Sequence, residues 1–239
     1  MLSEKNVHDL FEWYKNIENR LMNIIEYTPF QSLNESKDIV SPRCVSIIVE
    51  SASIIDSLFR TMFPEEIIRS NGKKITSRGA NIYDFYNYFE ENMKLTETES
   101  IYLGSEPFIV SPFNGWGSKY PESPKWWNAY NHLKHNRLLF NKDGSVYNSI
   151  MSICALHQVM SKIPEVLKYS FRYNWIKFSG FNPSIVFEMI TKPNNCNFLA
   201  YTQFFCTLLK PANWTEINNI KPATYDNSTK LVEYLGRIL

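Results

Sequence analysis

From residue 4 to residue 26 the apolar side chains Leu10, Phe11, Trp13, Tyr14, Ile17, Leu21, Met22, Ile24 and Ile25 share one arc of a helical wheel, while Asp9, Glu12, Asn16, Asn19, Arg20 and Asn23 take the other. That spacing predicts an amphipathic helix, with Ser3 as N-cap and Pro29 as its stop. A second helix is expected from Ser41-Pro42 to about Phe63, because a capping serine followed by proline suits the first helical position. Cys44, Ile47, Ile48, Ala52, Ile55, Leu58, Phe59 and Met62 form its core stripe; Glu50 faces away and Asp56 sits on the border. Ile82, Phe85, Tyr86, Phe89 and Met93 recur at three and four, predicting a third helix over about 80 to 94. Residues 96 to 123 are rich in Pro and Gly and read as an irregular connection, either a functional loop or a lid packing its own aromatics, the reading that Phe108, Phe113 and Trp116 fit. A fourth helix is expected over SPKWWNAYNHLKHNRLLFN, residues 123 to 141. A fifth, about 145 to 168, is apolar nearly all round and should be the central one, with Pro164 kinking or ending it.

After Ser170 the period changes. FRYNWIKF alternates aromatics as a strand does, SIVFEMIT and NFLAYTQFF flank a KPNNC turn, and a last helix is expected near 227 to 238. The fold class expected is mainly α: a helical bundle over residues 1–170 with a small C-terminal α/β extension over 171–239 packed on it.

Composition adds exclusions. A chain of 239 residues with 44% hydrophobic content can bury a substantial core. Its 25 basic and 24 acidic residues give a formal charge of +1, so any nucleic-acid site must be a local patch. Cys44, Cys154, Cys196 and Cys206 are scattered without a C-x-x-C pair and read as free thiols of a reducing compartment. The N-terminus is charged where a signal peptide is apolar, and no apolar run approaches the ~20 residues of a membrane span. A cytoplasmic protein that binds no membrane, metal or cofactor is expected. No Gly-rich phosphate loop or G-x-S-x-G elbow is present, and KKITSRG at 73–79 is a short basic turn.

The densest chemistry lies in the fourth helix. Trp126, Trp127, Ala129, Tyr130, Leu133 and Leu138 make its apolar arc, and Lys134 and Arg137 fall inside that arc. A buried cation must be paired. One reading is structural: Lys134 and Arg137 snorkel, or pair with Asp56 or, second, Glu50, locking the second and fourth helices together. The other is functional. His135 stands one turn from Asn131 with Lys134 and Arg137 near, a group suited to a phosphodiester: imidazole as acid or base, cations for the phosphorane charge, amide for positioning. His157, among Ile150, Ile153 and Met160, is expected as a satisfied core histidine. A third class, a small-molecule sensor, requires an apolar pocket near the 104–124 loop.

The order of elements, SIIVESASIIDSLFR, a Pro/Gly/Trp-rich connection, WWNAYNHLKHNR and then SIMSICALHQVM, resembles uncharacterised bacterial proteins with a HEPN-like helical bundle and a W-x-x-Y-N-x-x-K-H-x-R signature. The resemblance covers about residues 40 to 165 and rests on Trp127, Tyr130, Asn131, Lys134, His135 and Arg137. It implies a bundle fold and RNA as partner. Active HEPN proteins are often metal-independent ribonucleases of toxin–antitoxin and phage-defence systems, working as dimers; others bind RNA, nucleotides or proteins without cutting. Their motif is R-x(4–6)-H, with four to six residues between Arg and His; here no Arg precedes a His at that spacing, and Arg137 follows His135.

Overall fold

The computed structural model describes residues 2–69, 71–104, 107–167, 169–170, 173–175 and 198–209. Its helices are α1 (Glu4–Ile25), α2 (Pro42–Met62), α3 (Ile82–Met93), α4 (Lys125–His135), α5 (Val146–Ser161) and the short α6 (Pro164–Leu167). Its strands are β1 (Ile67–Ile68), β2 (Lys74–Ile75), β3 (Ser100–Tyr102), β4 (Phe108–Val110), β5 (Phe198–Tyr201) and β6 (Phe205–Leu209). The architecture is mainly α with small antiparallel sheets.

The helix starts follow capping chemistry. Ser3 and Asn6 form a capping box on α1, Ser41 caps α2 ahead of Pro42, and Asn81 and Asp84 form a second box on α3. Ser145 caps α5, and Pro164 begins α6 instead of kinking α5. The α2 and α5 starts are stitched by Ser41 N–H to Gly144 O (2.9 Å) and Val146 N–H to Ile39 O (2.8 Å).

The core is built on α5, buried nearly all round. It packs on α1, α2 and α4 and touches β6. Along α1 the wheel holds except at Trp13, which is 50% exposed, while Glu18 is buried. Glu18 tolerates burial because the Tyr14 hydroxyl (3.0 Å) and the Phe204 N–H (3.4 Å) donate to its carboxylate. Phe59 of α2 stacks against Phe89 and Trp116 at 4.9 and 5.9 Å and tilts against Phe85, so aromatic contacts fix α3 and the connection on α2.

The connection 96–123 departs from the irregular expectation. It contributes β3 and β4 to a four-stranded antiparallel sheet of order β4-β3-β6-β5. Ser100, Ile101 and Tyr102 pair with Thr207, Cys206 and Phe205. This sheet joins residues on both sides of position 170. The connection also packs its aromatics, as one reading required: Trp116 donates its indole N–H to Ile82 O (3.0 Å) and Trp126 donates to Pro112 O (2.8 Å). In NFLAYTQFF the hairpin turn falls within the segment, at Thr202–Phe204, where Phe204 and Phe205 N–H groups reach the Thr202 hydroxyl. The strand expected over FRYNWIKF is replaced at 173–175 by a turn with Asn174 at φ 59°, a left-handed value that ends an extended run. Its remaining positions, the SIVFEMIT strand, the KPNNC turn and the 227–238 helix lie outside the described residues.

Where the sheet meets α5, buried polar side chains form a chain. Gln158 Nε2 donates to Ser100 Oγ (2.8 Å), Ser100 Oγ meets Thr207 Oγ1 (2.5 Å), and Thr207 Oγ1 meets His157 Nδ1 (3.0 Å). His157 is thus a core histidine, held at Nδ1 by a hydroxyl and flanked by the Trp175 and Phe205 rings, but only half satisfied, since its buried Nε2 has no hydrogen-bond partner among the described residues.

Burial lowers the His157 pKa to about 3, against ~6.5 in an unfolded chain. As pH falls below about 6.5 the unfolded state takes up a proton that the folded state refuses. This neutral imidazole therefore contributes fully above that pH, and its contribution falls by about 1.4 kcal/mol per unit toward pH 3. Glu18 acts oppositely, because burial raises its carboxyl and folding retains its proton to higher pH. Urea titrations from pH 7 to 4 will show stability falling on acidification, with a shallower slope in His157→Gln. A slope unaltered by that substitution refutes the assignment.

Candidate functional site

The sequence WWNAYNHLKH winds into α4 with Trp126, Trp127, Ala129, Tyr130 and Leu133 buried. The helix ends at His135, earlier than its hydrophobic pattern predicts. Asn136 takes φ −152°, and its side chain accepts from Leu139 N–H (3.2 Å), a local turn that competes with the next helical bond. The chain then folds back: His132 Nδ1 lies 2.8 Å from Asp143 Oδ2, and the His132 ring stacks on Phe140 at 4.3 Å. Leu138 is 92% and Leu139 69% exposed, so neither extends the apolar arc.

This early stop changes where the predicted cations sit. Arg137 lies beyond the helix and is exposed. Lys134 lays its ammonium 5.3 Å from the Tyr130 ring centroid and 3.2 Å from its hydroxyl, with the side chain exposed. Neither reaches the predicted carboxylates. Asp56 pairs with Arg60 one turn along α2 at 2.8 Å, and Glu50 pairs with Arg20 of α1. The proposed Asp56 or Glu50 lock on α4 is therefore corrected: an i,i+4 arginine is always within reach, whereas a cation past the α4 terminus is not.

Asn131 does enter a defined site. A cleft of about 310 Å³ is lined by Asp56 and Arg60 of α2, Ala80 to Tyr83 at the α3 start, Ser123, and Trp127, Asn128 and Asn131 of α4. It meets the 104–124 connection at Ser123, and its lining is more polar than a sensor of apolar ligands requires. Arg60 is fixed by Asp56 and by the Ser77 and Arg78 carbonyls, and its guanidinium lies over the Phe85 ring at 5.5 Å. The KKITSRG turn thus contributes carbonyls to hold Arg60. Asn81 is committed to capping Tyr83 and Asp84 N–H groups. Asn128 accepts from Ser123 Oγ at 2.8 Å.

His135 follows Asn131 by one turn on the same side of α4. It is exposed and stands beyond the residues lining the cleft. Lys134 and His135 are exposed in the last turn of α4 and Arg137 is exposed two residues past its end, with Asn131 one turn back in the cleft wall. Residues 123 to 142 carry Lys125, Lys134, Arg137 and Lys142 and no carboxylate, a local excess in a chain whose charges balance. Sequence reasoning missed Arg60, although its spacing from Asp56 is an i,i+4 signal, and Asn81, although an Asn before an apolar run is a cap signal.

Among the described residues no three His, Cys, Asp or Glu side chains gather to hold an ion, and no helix is long and apolar enough to cross a membrane. Cys44, Cys154 and Cys206 are free and buried. No family model, curated protein or solved structure matches the chain.

The two arginines separate a structural role from a surface role. Arg60→Ala strips Asp56 and two carbonyls of their donor and should cost about 1–2 kcal/mol in urea unfolding. Arg137→Ala should stay within about 0.5 kcal/mol of the parent. A large loss from Arg137→Ala would restore the structural reading of that residue.

Proposed function

We propose that this chain is a HEPN-like, cytoplasmic bacterial protein that binds RNA along α4, with metal-independent cleavage by His135 as its activity in defence or stress response. The observation that carries the reading is the continuity of one helix face. Asn131 lines a cleft of mixed polar and apolar character, His135 follows one turn later in solvent, and Lys134 and Arg137 are exposed within two residues of it. Cations there attract the phosphate backbone, and those at a helix C-terminus are also favoured by its dipole.

In the reaction, His135 accepts the proton of a ribose 2′-hydroxyl as its oxygen attacks the adjacent phosphorus. The bond to the 5′-oxygen breaks, and the imidazolium returns the proton to that leaving oxygen. The products are a 2′,3′-cyclic phosphate and a 5′-hydroxyl end. Lys134 and Arg137 offset the charge on the phosphorane, and Asn131 positions the nucleotide. A second copy of the chain, as in HEPN dimers, would bring a second His135 to the strand.

A second reading is favoured by Leu138 and Leu139, whose exposure beside the same cations suits a protein partner. Incubation of the protein with total RNA and tRNA in EDTA decides between them. Cleavage leaving cyclic phosphate ends, lost by at least about a hundredfold in His135→Ala with circular dichroism unaltered, is the expected result. RNA binding without cleavage leaves a non-catalytic RNA protein. Absence of both binding and cleavage at micromolar protein overturns the RNA reading in favour of the interaction module.

A further inference from the structure

We infer that the cleft between α2, the α3 start and α4 seats one unpaired guanine base of a single-stranded RNA, an assignment that rests on the RNA reading above. Charge separates the parts of the ligand. Asp56 and Arg60 are bonded to each other at 2.8 Å, so the cleft is neutral in sum and a phosphate placed there meets a carboxylate. The cations Lys134, Arg137 and Lys142, which form no ion pair among the described residues, are exposed at and beyond the end of α4, outside the cleft lining. The backbone of a strand therefore belongs outside and a neutral, hydrogen-bonding group belongs inside. A volume of about 310 Å³ is at the small end of ligand sites, suited to one ring system.

The lining favours a planar base. Tyr83, half-buried, and Trp127, 6% exposed, line the cleft with aromatic rings, the usual platform for unstacked bases of single-stranded RNA. Three polar groups retain unused capacity. Asp56 accepts from Arg60 on Oδ2, and a carboxylate has further lone pairs to give. Asn128 uses its oxygen for Ser123 and keeps its amide N–H groups. Asn131 makes no hydrogen bond among the described residues and is half-buried in the wall.

A carboxylate discriminates among the four bases. The Watson–Crick edge of guanine presents two adjacent donors, N1–H and N2–H, which match two carboxylate lone pairs as a guanidinium does. Its O6 then takes an amide N–H from Asn128 or Asn131. Adenine and cytosine each turn a ring-nitrogen acceptor toward the carboxylate beside their single amino group, and uracil flanks its one N–H with two carbonyls. Those acceptors repel the carboxylate, so guanine is the base that this wall admits best. Asn131 and His135 are one helical turn, about 6 Å, apart along α4. A guanine in the cleft thus brings its own sugar and 3′-phosphate toward His135.

The test is fluorescence anisotropy with labelled oligouridylates carrying one central G, A, C or U, and with the duplex of the G oligomer. The G single strand should bind about tenfold tighter than the others and than the duplex. Asp56→Asn should abolish that preference, and the Arg60 charge it leaves unneutralised should steepen the salt dependence. Asn131→Ala, which breaks no side-chain hydrogen bond among the described residues, should weaken G binding severalfold and U binding little. Lys134→Ala and Arg137→Ala should weaken all four strands alike. Equal binding of the four strands, or a G preference intact in both Asp56→Asn and Asn131→Ala, overturns the base assignment while the RNA reading stands. Binding of none of them overturns that reading as well.

Discussion

The burial of α5 is the constraint on which this molecule depends. A helix apolar on every side cannot face water anywhere, so each of its faces must be covered. α1, α2 and α4 cover it, and β6 closes the remaining side with Thr207 against His157. Because α2 and α4 lie on the same central helix, they also lie against each other. The cleft forms where their polar edges diverge beside the α3 start. Trp126 and Trp116 hold that geometry by giving their indole N–H groups to backbone carbonyls of the connection and of α3.

Much of the helical framework was legible in the sequence. The 3.6-residue period, Ser3 and Ser41-Pro42 place α1, α2 and the start of α5 to within a few residues, because those signals are local; the end of α5, expected near 168, comes at Ser161. The sheet was illegible for the converse reason. β3 is three residues long, and its partner β6 lies about a hundred residues on, so neither period nor turn chemistry pairs them. The end of α4 was misread because the wheel continued through Leu138, whereas the Asn136 side chain offers the backbone a competing turn.

The candidate site was legible in part. Asn131 and His135 are one turn apart in α4, Lys134 lies on Tyr130, and Arg137 falls past the helix end. Their expected partners were wrong, since a carboxylate with an arginine four residues away satisfies itself within its own helix. The cleft itself, which needs Arg60 and the α3 cap, is assembled from three separate segments and has no contiguous motif.

A balanced net charge makes a localised excess informative. In a chain of near-equal acidic and basic residues, positions 123–142 give the α4 face four cations and no carboxylate, with Asp143 held against His132 at its edge. That this face and its cleft receive a single RNA strand is the central claim. Ultraviolet cross-linking to single-stranded RNA, followed by peptide mapping, tests it most directly. Adducts should concentrate on the peptides holding Tyr83 and Trp127, with protection of Lys134 and Arg137. Adducts confined to other surfaces, or none at saturating RNA, would contradict it.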